Sequence, residues 1–234
     1  MTTYITLPSN DPSVLAGSTP GNYIVQLGRS LDFSGGAYEV FLLEARFQMT
    51  WHNVEAGENT IQVQGSSAAT LEAGYYENVA DLCIALNTLL KAEKIVFTPL
   101  PRTLKVACSM PSGKTMVGVP LRLLGWPDGR ITGSGTGARI ADVLGGRSSL
   151  FVYLSIVANS QQGSFSVPLL KEIPLQDARP GDTIVYRQPL PVETHKLNTP
   201  IVRSAEVNVK DAHNKTVDFH RSPVSLLIGI RPAT

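Results

Sequence analysis

Residues 205–231 read AEVNVKDAHNKTVDFHRSPVSLLIGIR, and this stretch carries the clearest pattern in the chain. Apolar and polar residues alternate through 205–210, which is the period-two pattern of a β-strand with one solvent-facing side. A second alternation covers 224–231, and residues 216–219 (TVDF) are expected to form a short returning strand between the two. Three strands with tight connections predict an antiparallel meander. Because a meander leaves faces and edges open, the preceding residues are expected to supply the sheet that covers it.

The connections within this stretch carry turn-forming residues. Asp211 can bond the backbone two residues further on, and Asn214 tolerates a left-handed conformation, so both favour a turn after the first strand. Leu227 is an exception in the last strand, because it is apolar at a position that the alternation assigns to the solvent-facing side.

Composition places the chain among globular proteins. It has 234 residues, of which 43% are hydrophobic and 17% charged, so it can bury a substantial core. Its 20 glycines and 16 prolines are spread singly or in pairs between apolar runs, which suits many strands and turns better than disorder. The net charge of +1, without a basic cluster in the sequence, disfavours nucleic acid as a partner.

Cysteine usage and the N-terminus indicate where the protein is made. Cys83 and Cys108 are expected to be buried, reduced side chains rather than a disulfide framework. Met1–Leu7 lacks the basic and apolar regions of a signal peptide, and no apolar run reaches the ~18 residues of a membrane span. We therefore expect synthesis in the cytosol and no membrane embedding.

One long helix is expected, over about residues 78–92. Apolar side chains recur there at a 3.6-residue period: Val79, Leu82, Cys83, Leu86, Leu89 and Leu90. Asn78 can cap the helix, and Asp81 is favourable in its first turn. A hairpin should follow, with strands at 95–98 and 102–108 that turn Leu104, Val106 and Cys108 inward.

The remaining apolar runs predict an all-β fold. Strands are expected at 4–7, 22–27, 38–49, 59–64, 151–157, 165–170 and 183–186. Strands spaced at roughly ten to fifteen residues, without βαβ alternation, favour a β-sandwich of two antiparallel sheets. We expect residues 1–21 to form a strand and an extended arm. Residues 22–234 should form a single domain with a glycine-rich loop at 129–146.

The runs 38–49 and 151–157 are apolar on both parities, and the strand at 38–49 should therefore be covered on both faces. Glu44 interrupts the first of them. An ion inside such a strand is costly unless it is paired, so we expect Glu44 to meet a partner or the solvent-exposed end. A catalytic carboxylate is the alternative interpretation.

Two glycine-containing strings resemble nucleotide-binding loops. Ser112–Thr115 reads SGKT, but a phosphate-binding loop needs a glycine at the position of Cys108. We interpret this string as a surface turn. Gly133–Ala138 resembles a dinucleotide loop but follows no buried strand, so we interpret it as a flexible loop.

No catalytic constellation or metal site emerges from the sequence. The histidines at 52, 195, 213 and 220 include no His-x-His pair, which a barrel metal site would use. A Gly-x-Ser-x-Gly nucleophile elbow is also lacking. We therefore predict no catalytic residue, no cofactor and no enzyme activity.

Three blocks of the chain resemble the minor capsid, or penton, proteins of Polinton-type elements, adintoviruses and virophages. The first joins YITLPSN (4–10), LDFSG (31–35) and YEVFLLE (38–44) with WHN (51–53). The second comprises GYY (74–76), Leu82, LN (86–87) and LGW (124–126). The third runs from LFVY (150–153) through PLL (168–170) and Pro174 to 205–231. The blocks occur in the family's order and cover most of the chain, although 129–146 has no counterpart.

This resemblance implies a jelly-roll capsid protein. The subunit would form homopentamers at the five-fold vertices of an icosahedral capsid, beside neighbouring major capsid proteins, and would be located in the virion. Leu227 is then a candidate subunit contact. The alternative is a β-sandwich attachment or glycan-binding module, and a host receptor stays an open partner in either case.

Overall fold

The computed structural model describes residues 1–144, 148–162, 165–175 and 178–233. Most elements are short strands. In chain order the strands are β1 (Thr3–Pro8), β2 (Asn22–Asp32), β3 (Tyr38–Gln48), β4 (Thr60–Val63), β5 (Ala69–Thr70), β6 (Val96–Leu100), β7 (Lys105–Ser109), β8 (Thr115–Gly118), β9 (Arg130–Thr132), β10 (Gly135–Thr136), β11 (Ser149–Leu154), β12 (Ser160–Gln162), β13 (Phe165–Val167), β14 (Leu169–Pro174), β15 (Thr183–Arg187), β16 (His195–Lys196), β17 (Ile201–Lys210) and β18 (Ser225–Pro232). The helices are α1 (Val79–Leu89) and α2 (Pro120–Leu123), and a 3-10 turn spans Lys91–Glu93.

The chain divides into two compact units. The first comprises Met1–Trp51 and Gly146–Thr234, and the second is His52–Gly145, which is inserted between β3 and β11. That residues 22–234 fold as a single domain stays a prediction.

The first unit contains two main antiparallel sheets and a separate two-stranded sheet of β12 and β13. The first sheet has the order β1-β18-β3-β15. The short strand β16 also pairs with β3, at Glu39 and Val40 near its start. The second sheet has the order β14-β11-β17-β2. The chain passes between these two sheets at the steps β1 to β2, β2 to β3, β3 to β11, β14 to β15, β16 to β17 and β17 to β18. Eight principal strands in this order form a jelly roll, as predicted.

The predicted C-terminal meander is wrong. Its first and last strands, β17 and β18, belong to different sheets, because β17 pairs with β11 and β2 while β18 pairs with β1 and β3. The strand expected at 216–219 forms only an isolated bridge, from Thr216 to Lys210. Its apolar side chains, Val217 and Phe219, are buried in the crossing between the sheets. The alternation of apolar and polar residues locates strands in the sequence, but it does not indicate which strands pair.

The two sheets of the jelly roll are joined through a buried core. Tyr23 on β2 donates its hydroxyl to the carbonyl oxygen of Leu7 on β1 over 2.9 Å, which links the second sheet to the first. Phe47, Trp51 and Phe219 form an aromatic cluster with ring centroids 5.7–6.4 Å apart. Such offset and edge-on contacts add to the stabilisation from apolar burial.

The segment expected to be an extended arm, 9–21, folds back along β2. The amide of Leu15 bonds the carbonyl of Ile24, and the amide of Gln26 bonds the carbonyl of Ser13.

The turn that follows β17 contains Asp211 and Asn214. The Asp211 carboxylate accepts a hydrogen bond from the backbone amide of His213 at 2.9 Å, and Asn214 has a φ of 62°. Both turn predictions for Asp211 and Asn214 are therefore confirmed.

The second unit packs two small sheets, β10-β7-β6 and β5-β4-β8-β9, with α1 around its own core. The predicted helix is confirmed, since Asn78 accepts the amide of Asp81 at 3.0 Å and the apolar stripe packs into this core. The hairpin β6–β7 is also confirmed. Leu104 was wrongly expected inside: it lies in the turn before β7 with a φ of 54° and is 62% exposed.

Two asparagines hold segments of the second unit together. Asn53 donates to the carbonyls of Tyr76 and Val143, both at 2.9 Å, and accepts the amide of Tyr76. Asn87 on α1 accepts the amide of Phe97 at 2.7 Å and donates to the carbonyl of the same residue at 3.0 Å. Each amide satisfies backbone groups that no strand neighbour pairs.

The glycine-rich stretch is more ordered than expected. Its described part, 129–144, contains β9, which pairs with β8, and β10, which pairs with β7. Residues 145 and 146 lie outside the described residues. Among those described, neither helix has the length and hydropathy of a membrane-spanning segment.

Candidate functional site

The outward side of the first sheet carries more positive than negative charge. Alternation along each strand fixes which residues point away from the core. These residues include Tyr4, Thr6, Glu39, Phe41, Glu44, Arg46, Val185, Arg187, Lys196, Leu227 and Arg231, and the uncharged Pro8, Gln48, Thr183 and Ser225. Four of them are basic and two acidic, and we call this surface the basic face.

Leu227 lies in the middle of the basic face. It is half-buried and pairs with Thr6 on β1 and with Glu44 on β3. The structure thus places the predicted contact residue on an outward surface of the jelly roll.

Glu44 is held by two arginines on this face. Its carboxylate accepts hydrogen bonds from Nε of Arg46 and, at 3.0 Å, from Nε of Arg187 on β15. The bond from Arg187 and then the bond from Arg46 lower the pKa of the carboxyl below its ordinary value. The expectation of a partner for Glu44 is confirmed, and the arginines make it a fixed anion between two strands.

The aromatic ring of Phe41 lies on this outward side and is covered by Arg231. The Phe41 ring lies over Gly229 of the neighbouring strand, with the Arg231 guanidinium 5.4 Å from the ring centroid. The guanidinium covers the ring through a cation–π contact. The side chain of Phe41 is only 5% exposed as a result.

The second sheet has a groove of about 540 Å³ on its outward side. Its floor is formed by β11 and β17, where Phe151 pairs with Lys210 and Tyr153 with Asn208. Its complete lining is Phe151, Tyr153, Leu154, Ser155, Val167, Pro168, Glu206, Asn208, Lys210, Asp211, Ala212 and Asn214. A groove of this volume, with an aromatic floor and a few polar groups, has the character of a binding site.

Polar contacts fix the groove at the end near residue 214. The Lys210 ammonium lies 5.4 Å from the Tyr153 ring centroid and donates to Oδ1 of Asn214 at 2.9 Å. Asn208 accepts the hydroxyl of Thr216 at 3.1 Å. Glu206, an exposed residue of the lining, has no ion-pair partner in the described ranges.

The sequence contained a signal for this groove. The run 151–157 is apolar on both parities. The inward positions are covered by the core, whereas Phe151 and Tyr153 form the floor of an outward groove. Neither Glu206 nor Lys210 could be assigned to it before the pairing of β17 was known.

The motif-like strings do not form nucleotide sites. Ser112, Gly113 and Lys114 lie in the turn between β7 and β8, as predicted, and Gly113 takes a φ of 77° there. Lys114 donates to the Gln64 carbonyl at 3.2 Å and pairs with Glu93 at 3.4 Å. The string Gly133–Ala138 contains β10 and is therefore partly strand, where a flexible loop was expected.

The cysteines and histidines do not assemble a reactive centre. Cys83 and Cys108 are buried and free, and burial raises the pKa of their thiols to about 11 and about 12. Both are therefore protonated and weakly nucleophilic at neutral pH. In the described part of the chain, no three His, Cys, Asp or Glu side chains converge as metal ligands would.

Comparison with solved structures identifies a protein of the same fold. The chain aligns over its full length with the mavirus penton protein, also over its full length, at 10% identity and a TM-score of 0.55. A chain of the Sputnik virophage structure aligns over 98% of this chain and 97% of its own, at 10% identity and a TM-score of 0.49. No protein-family model and no curated protein sequence matches the chain. The chain thus has the fold of a viral penton protein.

Proposed function

We propose that this protein is a structural capsid protein, a penton subunit whose homopentamers occupy the five-fold vertices of an icosahedral capsid. The observation that carries the proposal is the full-length alignment with the mavirus penton protein, from the first residue to the last of both chains. Independently of this alignment, three blocks of the sequence resemble penton proteins.

The surfaces of the jelly roll support assembly. A ring of five copies needs a heterologous interface, in which two different surfaces of one subunit meet on neighbouring copies. The first unit offers two such surfaces, the basic face and the groove, and they lie on opposite sheets. Exposed apolar side chains on the basic face, among them Tyr4 and Val185, are expected where a surface is buried by a partner.

The proposed partners are other copies of the chain and the neighbouring major capsid proteins, and the proposed location is the virion. The site chemistry gives no reason to assign catalysis. Glu44, the one residue considered as a catalytic carboxylate, is ion-paired on an open sheet face rather than placed in a cleft.

Light scattering coupled to size exclusion, together with negative-stain imaging of the purified protein, tests this function. We expect a mass of five chains and rings with five-fold symmetry. A protein that stays monomeric at high concentration and binds no capsid protein would overturn the proposal.

A further inference from the structure

The lining of the groove on the second sheet indicates the chemistry of a matching occupant. Its floor is aromatic, its wall is apolar at Val167 and Pro168, and Glu206 supplies a negative charge without an ion-pair partner in the described ranges. A matching occupant has a compact apolar tip with a positive charge close by. Apolar burial would supply affinity, and the charge would satisfy Glu206.

The loop after β15 has both of these features. Leu190 is 86% exposed, which makes it the most exposed large apolar side chain after Met1 in the described residues. It stands between Pro189 and Pro191, whose rings restrict the backbone, so little conformational freedom would be lost on binding. The base of the loop is anchored by a bond from the Gln188 amide to the Leu43 carbonyl at 3.0 Å.

A positive charge accompanies this tip. The Arg187 side chain is 73% exposed, and its Nε binds Glu44. A guanidinium has five N–H donors, so its remaining donors can bind a second carboxylate. The tip therefore presents an apolar side chain and a cation that are three residues apart.

We propose that the Leu190 tip of one copy docks into the groove of the next copy, with Leu190 on the Phe151–Tyr153 floor and Arg187 at Glu206. This inference rests on the proposed function, since it names the contact that would join neighbouring subunits. Because Leu190 is exposed, it does not fill the groove of its own chain. Tip and groove are different surfaces, so each copy uses one of each, and the contact is heterologous as a ring requires.

The spacing on the two sides agrees. Arg187 and Leu190 can lie at most about 11 Å apart, because three residues extend no further. In the groove, Glu206 is two residues along β17 from Asn208, the pairing partner of Tyr153, which corresponds to about 7 Å. Leu190 can therefore contact the floor while Arg187 reaches Glu206.

Cysteine cross-linking between copies tests the contact. One preparation carries Leu190→Cys and the other Ala212→Cys, a small exposed residue of the groove lining. The two native cysteines are buried, so they do not compete. Mixing the preparations under mild oxidation should give a disulfide-linked pair of chains, whereas Leu190→Cys mixed with Gly35→Cys, an open position outside the groove, should give none.

Two further variants make the outcome decisive. Leu190→Ser should weaken association at least about tenfold while leaving the unfolding transition unchanged, because an exposed side chain contributes little to folding. Glu206→Arg should weaken association as well, and Arg187→Glu in the same chain should partly restore it.

The outcomes separate this inference from the proposed function. Five-fold rings that form without the cross-link would overturn the docking and leave the penton function standing. A chain that never associates would overturn both. Binding on a glycan array that Tyr153→Ala abolishes, together with normal assembly of Leu190→Ser, would assign the groove to a carbohydrate and overturn the docking.

Discussion

Phe41 on β3 lies across Gly229 on β18, and its ring fills the space that a side chain at position 229 would need. A Cβ atom built on Gly229 would lie 2.3 Å from Cζ of Phe41, well inside van der Waals contact. Gly229→Ala should therefore push the ring away from the sheet and out of its contact with Arg231. We expect a loss of about 1–3 kcal/mol in the free energy of unfolding, measured by urea denaturation.

The matched control for this variant is Gly28→Ala on β2. A Cβ at position 28 would have no atom within 4 Å, and its backbone is not left-handed. The free energy of unfolding should change there by less than about 0.5 kcal/mol. Equal urea midpoints for Gly229→Ala and the unmodified protein would show that the ring accommodates a methyl group without cost.

Tyr23 provides a pH-dependent prediction for the jelly-roll core. Burial raises the pKa of its phenol above the ordinary value of about 10. The folded protein then retains a proton that the unfolded chain releases above pH 10, so stability is fully present below this pH and falls as the pH rises further. Each pH unit above about 10 costs up to about 1.4 kcal/mol until the pKa of the folded state is reached.

The effect of Tyr23→Phe on the free energy of unfolding should change sign between pH 8 and pH 11. Near pH 8 the variant should be less stable by about 1 kcal/mol, because it loses the hydrogen bond to the Leu7 carbonyl. Near pH 11 it should be the more stable protein, because no phenol ionises at this position. A stability difference between Tyr23→Phe and the unmodified protein that stays constant from pH 8 to 11 would contradict the raised pKa of this phenol.

The sequence was sufficient to identify the jelly-roll strands and the long helix, because their signals are local. Alternation predicted β17 and β18, and the 3.6-residue stripe with Asn78 predicted α1. Pairing is not local, since the partners of β17 include β2 from the opposite end of the chain. The error over the C-terminal meander arose because strands adjacent in sequence usually pair, whereas in a jelly roll they can change sheet.

The candidate surfaces were predictable only in part. Leu227 was identified because it departs from the polar parity of its strand, and the structure places it on an outward face. The groove depends on β11 and β17, which are separated by about fifty residues, so only its aromatic floor left a signal in the sequence. Leu190 gave no signal, because exposure of a loop residue depends on the surrounding fold rather than on its neighbours in sequence.

Asn87 should be essential for the stability of the second unit. Its amide group makes two hydrogen bonds to the backbone of Phe97 and thereby attaches β6 to α1. Asn87→Ala leaves an amide and a carbonyl without these partners, so we expect a loss of about 1–3 kcal/mol in the free energy of unfolding. Thr88→Ala, on the exposed side of the same helix, should change it by less than about 0.5 kcal/mol.

Hydrogen exchange of the Phe97 amide supplies an independent measurement for this prediction. In the Asn87→Ala protein this amide should exchange faster than in the unmodified protein, relative to amides of the β6–β7 ladder. Unchanged protection at Phe97 would mean that another acceptor replaces the asparagine, and it would contradict the proposed attachment.

Leu227→Asn should impair assembly far more than folding. The side chain is only half-buried and points away from the core, so its loss should lower the thermal midpoint by no more than a few degrees. In the proposed pentamer, however, this position adjoins Glu44, which binds the Arg187 at the base of the Leu190 tip. Asparagine avoids adding a negative charge next to Glu44, so a lost pentamer would report lost apolar contact. Leu227→Met keeps the apolar surface and should assemble normally, whereas equal pentamer fractions in all three proteins, measured by light scattering, would remove Leu227 from the interface.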